Sequence, residues 1–345
     1  MVGPVEIARR TRGRITHRLE SLPILALSVH SACNCRCVMC DIWKANADKR
    51  EISPDDLERH VDAIRALHVQ RVMLTGGEPL LHGNLWALCE KLQALGIRIT
   101  LVTTGLLIER HAADVACSVD TVVVSLDGDR GIHDEIRRVR GGFDRITAGV
   151  AALRAVRPVP RLIARSVVQR GNCGSLHHTI AGAHRIGFDE ISFLAADLSS
   201  SAFNRPEPWS AGRIDEVTVG ADDLHILEAS IDQAVTLVPK LVDGGFVVGG
   251  RSSLDRILQY YAANAGRAQF PTVQCNAPWV SAVLEPDGNV RPCFFHPQYG
   301  SASMGLEEAL NSPSAIAFRQ SLGVERDETC RRCVCSLNLP LTRTV

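Results

Sequence analysis

The stretch from Ile24 to Cys40 reads ILALSVHSACNCRCVMC and joins an apolar strand pattern directly to a cysteine-rich loop. Cys33, Cys37 and Cys40 follow a C-x3-C-x2-C spacing. Three thiolates on one tight loop can hold three irons of a [4Fe–4S] cube and leave the fourth iron open, whereas an electron-transfer cluster ordinarily takes four cysteines. The alternative is a closed zinc site with Cys35 as the fourth thiolate. Zinc loops usually pair their ligands as C-x2-C with a second pair downstream, which favours the cluster.

Outward from this stretch, short β-branched apolar runs alternate with helical patterns as far as residue 195. Strands are predicted over 24–30, 70–75, 97–103, 120–125, 161–168 and 189–194. Helices are predicted over 54–67, 84–95, 107–116, 143–155, 174–186 and 221–239. This alternation indicates parallel strands joined by right-handed crossovers. Six such units are too few for a complete eightfold barrel, so the pattern predicts an α/β fold with a partial, open (β/α)6 TIM-like barrel.

The composition excludes several classes of partner. Basic and acidic side chains both number 38 in 345 residues, so the net charge is zero, and nucleic-acid binding usually requires a basic surplus. No apolar run approaches the length of a membrane span, and the arginine-rich first 18 residues do not resemble a secretory signal. The twelve cysteines therefore predict metal ligands in a reducing cytoplasm.

Three of the predicted strands end in glycine-rich or polar segments. The candidate binding residues in these segments are Gly76, Gly77, Glu78, Thr103, Thr104, Ser125 and Asp127. Two adjacent glycines let a backbone approach a ligand closely, and a carboxylate beside them can accept hydrogen bonds from an ammonium group. In a barrel of this kind the chemistry lies at the carboxyl ends of the strands.

In this order, the cysteine loop, the Gly-Gly-Glu-Pro segment and the Ser-x-Asp-Gly segment resemble the radical S-adenosylmethionine (SAM) enzymes. The resemblance implies that the amine and carboxylate of SAM chelate the open iron. It also implies that the Gly-Gly-Glu-Pro segment binds the methionine amino group and that the two threonines lie beside the adenosyl moiety. Ser125 and Asp127 are then expected near the ribose and the methionine carboxylate.

A second group of cysteines lies in the last 75 residues. Its members are Cys275, Cys293, Cys330, Cys333 and Cys335. A hairpin predicted from 279–284 and 289–291, with its turn at 286–288, brings the first two of them toward one end. Two separated pairs of thiolates suit one four-cysteine metal site, for which a structural zinc ribbon is the alternative.

This region resembles the auxiliary-cluster extension of radical SAM enzymes called SPASM, or its shortened form called Twitch. The resemblance implies one auxiliary [4Fe–4S] cluster held by Cys275, Cys293, Cys330 and Cys333, with Cys335 as a replacement for Cys333 or a free thiol. The predicted organisation is an N-terminal extension over 1–22, a core barrel over 23–245 and a small auxiliary-cluster domain over 246–345.

The resemblance implies reductive cleavage of SAM to a 5′-deoxyadenosyl radical, which takes a hydrogen atom from a small molecule. An auxiliary cluster with four cysteines has no open iron, so its expected task is to accept an electron. The predicted reaction is a two-electron alcohol oxidation, as in the single-auxiliary-cluster dehydrogenases of aminocyclitol antibiotic pathways. The expected substrate is a sugar or aminocyclitol-like compound of secondary metabolism, with a flavodoxin- or ferredoxin-type electron donor.

Three alternatives remain open: a peptide-modifying maturase, a radical epimerase with a cysteine hydrogen donor, and a non-catalytic metal-binding protein. Cys89 and Cys117 are predicted to be buried small hydrophobes. Further polar candidates for the site are Cys173, His82, His177, His178, Asp197 and Arg205. For each of them the alternative is a side chain on the surface or in the protein interior that takes no part in the chemistry.

Overall fold

Six parallel strands follow one another across the sheet in chain order. The computed structural model describes residues 2–205 and 207–345. The parallel strands are β1 (Ile24–His30), β2 (Arg71–Gly76), β3 (Arg98–Thr103), β4 (Thr121–Ser125), β5 (Arg161–Val168) and β6 (Glu190–Ala195). The sheet order is β6-β5-β4-β3-β2-β1 and continues into three further strands. The α/β class and the partial (β/α)6 barrel are confirmed.

Helices connect these strands and cover the outer face of the sheet. They are α1 (Pro4–Thr16), α2 (Pro54–Glu58), α3 (Val61–Ala66), α4 (Leu85–Ala94), α5 (Ala112–Ser118), α6 (Arg130–Arg137), α7 (Gly142–Ala155), α8 (Leu176–Ile186), α9 (Ala211–Val217), α10 (Leu224–Leu237), α11 (Pro239–Val242) and α12 (Gly250–Asn264). None of the described helices is both long and apolar enough to cross a bilayer.

The helix predicted over 54–67 is divided into α2 and α3. Ser53 begins α2 as expected, because it forms a reciprocal capping box with Asp56. The His60 N–H then donates to the Leu57 oxygen, three residues back, which interrupts the α-helical ladder. The helix predicted over 107–116 likewise begins with a 3-10 turn at Glu109–His111, and α5 follows it.

Alternate residues of each strand face the helices or the interior of the barrel, which we call the lumen. In β1, Leu25, Leu27 and Val29 are fully buried in the core between sheet and helices. Ile24 and Ala26 are on the opposite face, in register with Arg71 and Met73 of β2. The lumen therefore receives a mixture of polar, charged and apolar side chains.

The C-terminal region extends the same sheet. Strand β7 (Ser281–Leu284) pairs in parallel with β1, and β8 (Asn289–Arg291) and β9 (Gly300–Ser301) continue antiparallel. The remaining helices are α13 (Ala277–Val280), α14 (Leu306–Leu310), α15 (Pro313–Ser321) and α16 (Glu328–Arg331).

The predicted hairpin is correct in its turn but too long in its first strand. Gly288 has φ +83°, which favours glycine, and its N–H donates to the Glu285 oxygen. Trp279 belongs instead to α13, because Pro278 occupies the start of a helical turn, where its missing N–H costs nothing.

The boundaries predicted at residues 22 and 245 stay predictions, and packing crosses both positions. Beyond residue 245, the Tyr261 hydroxyl of α12 donates to the Val168 oxygen at the end of β5 and accepts from the Ala196 N–H. Before residue 22, the Arg10 guanidinium of α1 donates to the Arg343 oxygen in the C-terminal tail.

We expect Leu27→Ala to lower the free energy of unfolding by about 2–5 kcal/mol, because it removes buried methyl groups from the central strand and leaves a cavity. Leu27 is 0% exposed, whereas the control Ile15→Ala changes a side chain that is 73% exposed. Urea unfolding followed by circular dichroism measures both. Equal effects of the two changes would contradict the assignment of Leu27 to the core.

Candidate active site

The cysteine loop begins three residues after β1 and is held by side chains at both ends. The Cys33 N–H donates to the Asn46 side-chain oxygen, and the Asn46 amide donates back to the Cys33 oxygen, both at 2.9 Å. The Cys40 N–H donates to the Cys37 oxygen, and the Ile42 N–H points at the Cys40 sulfur at 3.5 Å. The loop is thus a closed turn in which N–H groups face sulfur.

The Gly-Gly-Glu-Pro segment packs directly beneath this loop. The Gly77 N–H donates to the His30 oxygen at 2.7 Å, and the Glu78 N–H donates to the Ala32 oxygen at 2.9 Å. A Cβ atom on Gly77 would lie 2.0 Å from the Ala32 oxygen, so the approach requires glycine. Gly76 has φ +121°, which also favours glycine. The structure therefore brings the two predicted segments together.

The Glu78 carboxylate is bound within the protein. It is 0% exposed and accepts hydrogen bonds from the Thr103 hydroxyl at 2.7 Å, the Thr104 N–H at 2.6 Å and the Leu80 N–H at 3.0 Å. Desolvation raises the pKa of Glu78, and these three donors oppose the rise. The carboxylate joins the ends of β2 and β3. These protein donors bind both oxygens of the carboxylate. Contact of Glu78 with a ligand ammonium stays a prediction.

Asp127 has a similar internal role. It is 0% exposed, and its oxygens accept from the Arg137 Nε at 2.6 Å and from the Val167 N–H at 2.8 Å. Burial lowers the pKa of His133 to about 4, so its neutral Nδ1 can accept the Asp127 N–H. These contacts fix Arg137, and the expected contact of Asp127 with SAM stays a prediction.

Arg137 connects this network to the cysteine loop. Its Nη1 lies 3.6 Å from the Cys37 sulfur. A hydrogen bond from Cys35, followed by the charge of Arg137, lowers the pKa of Cys37 to about 6 against the effect of burial. Hydrogen bonds with Cys33 and Cys37, together with burial, raise the pKa of Cys35 far above its usual range. Cys35 therefore behaves as a thiol donor, and Cys37 has the thiolate character that iron ligation requires.

The other two strand-end candidates lie at the same edge. The Thr104 hydroxyl donates to the Asn34 side-chain oxygen at 3.0 Å, which connects β3 to the cysteine loop. Ser125 ends β4 half-buried and is in register with Arg165 of β5. Binding of SAM by these residues stays a prediction.

The C-terminal cysteines line a cavity of about 450 Å³ that reaches into the lumen. The cysteines on its wall are Cys275, Cys293, Cys330, Cys333 and Cys335. Its opposite wall includes the first residues of four strands, Ile24, Arg71, Thr121 and Arg161. The C-terminal cysteines are thus at the amino ends of the strands, whereas the Cys33–Cys40 loop is at the carboxyl ends.

In the part of the chain that the structure describes, no three cysteine sulfurs lie close enough together to surround a single zinc ion. Thiolates around one tetrahedral zinc ion lie about 3.8 Å apart. Among residues 2–205 and 207–345, the one trio of candidate ligand atoms within 4.8 Å of one another is His296, Asp327 and Cys330, which contains a single cysteine. N–H groups also point at sulfur here, from Cys335 to Cys333 at 3.4 Å and from Ala277 to Cys275 at 3.5 Å. An all-cysteine donor set of this kind suits iron–sulfur ligation.

Sequence reasoning missed His296, whose Nε2 lies 3.3 Å from the Cys330 sulfur. The available signal was its position three residues after Cys293. Arg137 and Arg165 were also missed, because a surface arginine and a buried one look alike in a sequence. Arg137 is buried and Arg165 is half-buried, and both environments follow from packing between elements that are distant in the chain.

The lesser candidates have structural roles. Cys89 is buried as predicted, but Cys117 is exposed, because it falls on the outer face of α5. Cys173 is buried, with its thiol directed at the Arg170 oxygen. Asp197 and Arg205 form a buried ion pair, so the solvated-loop alternative for them is wrong. The remaining candidate histidines contact nearby groups. The Nε2 atom of His82 is within hydrogen-bond distance of the Ile52 oxygen, and the ring of His177 packs against that of His178.

Comparison with known proteins agrees with this geometry. Residues 27–172 match the model of the radical SAM superfamily, and residues 275–334 match that of the SPASM iron–sulfur cluster-binding domain. The chain is thus a member of the radical SAM superfamily with a C-terminal SPASM region. These regions imply a SAM-binding [4Fe–4S] cluster, an auxiliary cluster and SAM itself.

Curated relatives include a GTP 3′,8-cyclase from Xanthomonas campestris pv. campestris, 38% identical over 42% of this chain and 46% of the relative. The chain therefore spans about half the length of that relative. A pre-heme d1 synthase from Dinoroseobacter shibae is 26% identical over 73% of this chain and 60% of the relative.

Among solved structures, Streptococcus suis SuiB bound to S-adenosylmethionine superposes with a TM-score of 0.63. The match covers 96% of this chain and 76% of SuiB at 15% identity. At this identity the likeness shows the fold alone.

We expect the triple variant Cys33/Cys37/Cys40→Ala to reduce iron from about eight to about four per chain after anaerobic reconstitution, because only the auxiliary cluster remains. Iron analysis together with EPR of the dithionite-reduced protein measures this. The control Cys35→Ala keeps about eight irons. Equal iron loss in the control, or zinc in place of iron, would contradict the ligand assignment.

We expect Asp127→Asn to lower the free energy of unfolding by about 3–5 kcal/mol, because Arg137 is then left buried without its charge partner. The control Asp232→Asn breaks an exposed pair with Arg251, in which the two side chains are 57% and 48% exposed, and costs less than about 1 kcal/mol. Urea unfolding of the two apoproteins measures both. A cost for Asp127→Asn no larger than that of the control would refute its bracing role.

Proposed function

We propose that this protein is a radical SAM oxidoreductase that removes two electrons from an alcohol carbon of a small molecule related to sugars or aminocyclitols. The substrate gives one hydrogen atom to the 5′-carbon derived from SAM, one electron to the auxiliary cluster and its hydroxyl proton to solvent. The alcohol becomes a ketone, and SAM becomes methionine and 5′-deoxyadenosine. An external one-electron donor of the flavodoxin or ferredoxin type supplies the electron for cleavage of SAM.

The observation that supports this proposal is the cavity shared by the lumen and the five C-terminal cysteines. The cavity extends from the auxiliary cysteines at the amino ends of the strands into the lumen, whose other end carries the cysteine loop. Its volume of about 450 Å³ would be shared between a small substrate and the cluster held by the cysteines on its wall. An oxidation requires an electron acceptor beside the substrate, whereas a redox-neutral reaction does not.

When bound, the SAM-ligating cluster and SAM supply the hydrogen-abstracting chemistry. The protein's own residues hold and orient the reactants. Glu78 and Asp127 fix four strand ends from within, and Arg137 holds positive charge at the Cys37 sulfur. Apolar side chains such as Met73, Val123 and Ile163 line the lumen and limit water near a reactive substrate.

A second candidate, a radical epimerase, is favoured by Cys335. Its side chain lines the same cavity, while its N–H donates to the sulfur of Cys333. If Cys333 is the cluster ligand, Cys335 is a thiol able to return a hydrogen atom to a substrate radical. The substrate would then change configuration without net oxidation.

We expect the two candidates to separate in D₂O with the anaerobically reconstituted enzyme, a chemical reductant and a panel of polyols and aminocyclitols. Oxidation gives a ketone together with 5′-deoxyadenosine, and Cys335→Ala retains most of this activity. Mass spectrometry of the products is the measurement. The matched control is Cys89→Ala, a buried cysteine of α4 outside the cavity.

Deuterium at the product carbon with the wild type and Cys89→Ala, but not with Cys335→Ala, would show that the reaction is an epimerisation and not an oxidation. Absence of 5′-deoxyadenosine with every compound would contradict both candidates.

A further inference from the structure

We propose that the substrate of the lumen cavity carries an acid group, a carboxylate or a phosphate, and that Arg165 binds it. This inference rests on the proposed function and specifies the substrate class for the same cavity. Two observations support it: the arginines on the cavity wall, and the terminal nitrogens of Arg165, which have no hydrogen-bond acceptor among the described residues.

The strand side of the cavity wall is cationic. Three arginines line it, Arg71, Arg161 and Arg165, and for the described residues no aspartate or glutamate does. Arg161 is paired with Glu190. In the described part of the chain, neither Arg71 nor Arg165 has a carboxylate within 4.0 Å, and Arg71 donates to the Thr100 hydroxyl instead. Two unpaired guanidinium groups in a largely apolar cavity favour entry of an anion.

Arg165 is placed and oriented for this task. Its Nε donates to the Ser192 hydroxyl of β6 at 3.2 Å, which anchors one edge of the guanidinium. Its two terminal nitrogens have no hydrogen-bond acceptor among the described residues. A guanidinium with a free edge binds planar oxyanions through two parallel hydrogen bonds, and an anchored one loses less entropy on binding.

The position of Arg165 along the lumen suits a substrate contact. It is in register with Ser125, the last residue of β4, whereas Arg161 is in register with Thr121 at the other end of that strand. Four residues of strand correspond to about 13 Å. An acid group at Arg165 therefore lies between the two cysteine groups, and the rest of a small molecule remains inside the lumen.

The competing explanation is that Arg165 only balances the negative charge of an auxiliary cluster. Arg165 and Cys335 both line the cavity, so the charge of Arg165 lies near the auxiliary cysteines. Charge balance alone, however, does not require the hydrogen bond to Ser192. Charge balance also predicts a different result when Arg165 is removed. The midpoint potential of the auxiliary cluster would shift, whereas the affinity for an anion would not change.

The test is binding of inorganic phosphate and of succinate to the anaerobically reconstituted holoenzyme, measured by isothermal titration calorimetry. Arg165→Gln weakens binding of at least one of these anions tenfold or more, and Arg165→Lys recovers part of the loss. The matched control is Arg161→Gln on the same strand, whose charge Glu190 already neutralises, and its affinity changes less than threefold. Iron content and EPR show that the variants keep their clusters.

Three outcomes would overturn the proposal. The first is that the wild type binds neither anion at millimolar concentration. The second is that Arg165→Gln and Arg161→Gln weaken binding equally. The third is that Arg165→Gln shifts the midpoint potential of the auxiliary cluster in a redox titration while anion affinity is unchanged.

Failure of the proposed function has a separate signature. Formation of 5′-deoxyadenosine is measured with pairs of neutral and acidic compounds, such as glucose and glucose 6-phosphate, to determine whether the acidic member is preferred. Equal stimulation by neutral and acidic members contradicts this inference and leaves the oxidation standing. Anion binding that depends on Arg165, without formation of 5′-deoxyadenosine, contradicts the oxidation alone.

Discussion

The parallel pairing of β7 with β1 is the constraint on which the rest of the structure depends. Ile24 is opposite Ser281, and Leu27 is opposite Leu284. Cys33 follows the carboxyl end of β1, whereas Cys275 precedes the amino end of β7 by six residues. One register therefore puts the two cysteine groups at opposite ends of a single lumen. Seven residues of β1 correspond to about 20 Å, which sets the scale of their separation.

Within that frame, buried carboxylates hold the strand ends in place. Glu78 joins β2 to β3, and Asp127 joins β4 to β5 while fixing Arg137. A buried charge is tolerated only when hydrogen bonds or an opposite charge compensate its desolvation, and both carboxylates satisfy this condition. The edge that carries the cysteine loop is therefore rigid before any ligand arrives. Preorganisation of this kind is what positioning of a reactive cofactor requires.

The local parts of this architecture could be predicted from the sequence. The strands were predictable because β-branched runs alternate with capped helices, and the cysteine spacing pointed to an open cluster. Glycine at position 77 was predictable as a close approach, although its partner, the Ala32 oxygen, was not. These features depend on residues that are near one another in the chain.

What could not be predicted depends on long-range contacts. The parallel pairing of β7 with β1 joins segments more than 250 residues apart, so no local pattern reveals it. The internal hydrogen bonds of Glu78 and Asp127 could not be predicted, because a motif shows which residues are polar but not where their hydrogen bonds go. Cys117 was placed in the core because cysteine is usually buried, yet its position on α5 faces outward.

The chemistry of the lumen depends both on local strand patterns and on the long-range contacts that bring the strands together. Strand alternation puts alternate residues inward, and five of them along β2 and β5 supply arginine and apolar side chains to one cavity. An apolar wall strengthens the field of an arginine, because it excludes the water that would screen it. The cavity has arginines on its strand side and the C-terminal cysteines on the other, so under the proposed function the charge of a substrate would contribute to its selection. Such a cavity favours a small polar molecule that brings its own negative charge, rather than a neutral one of the same size.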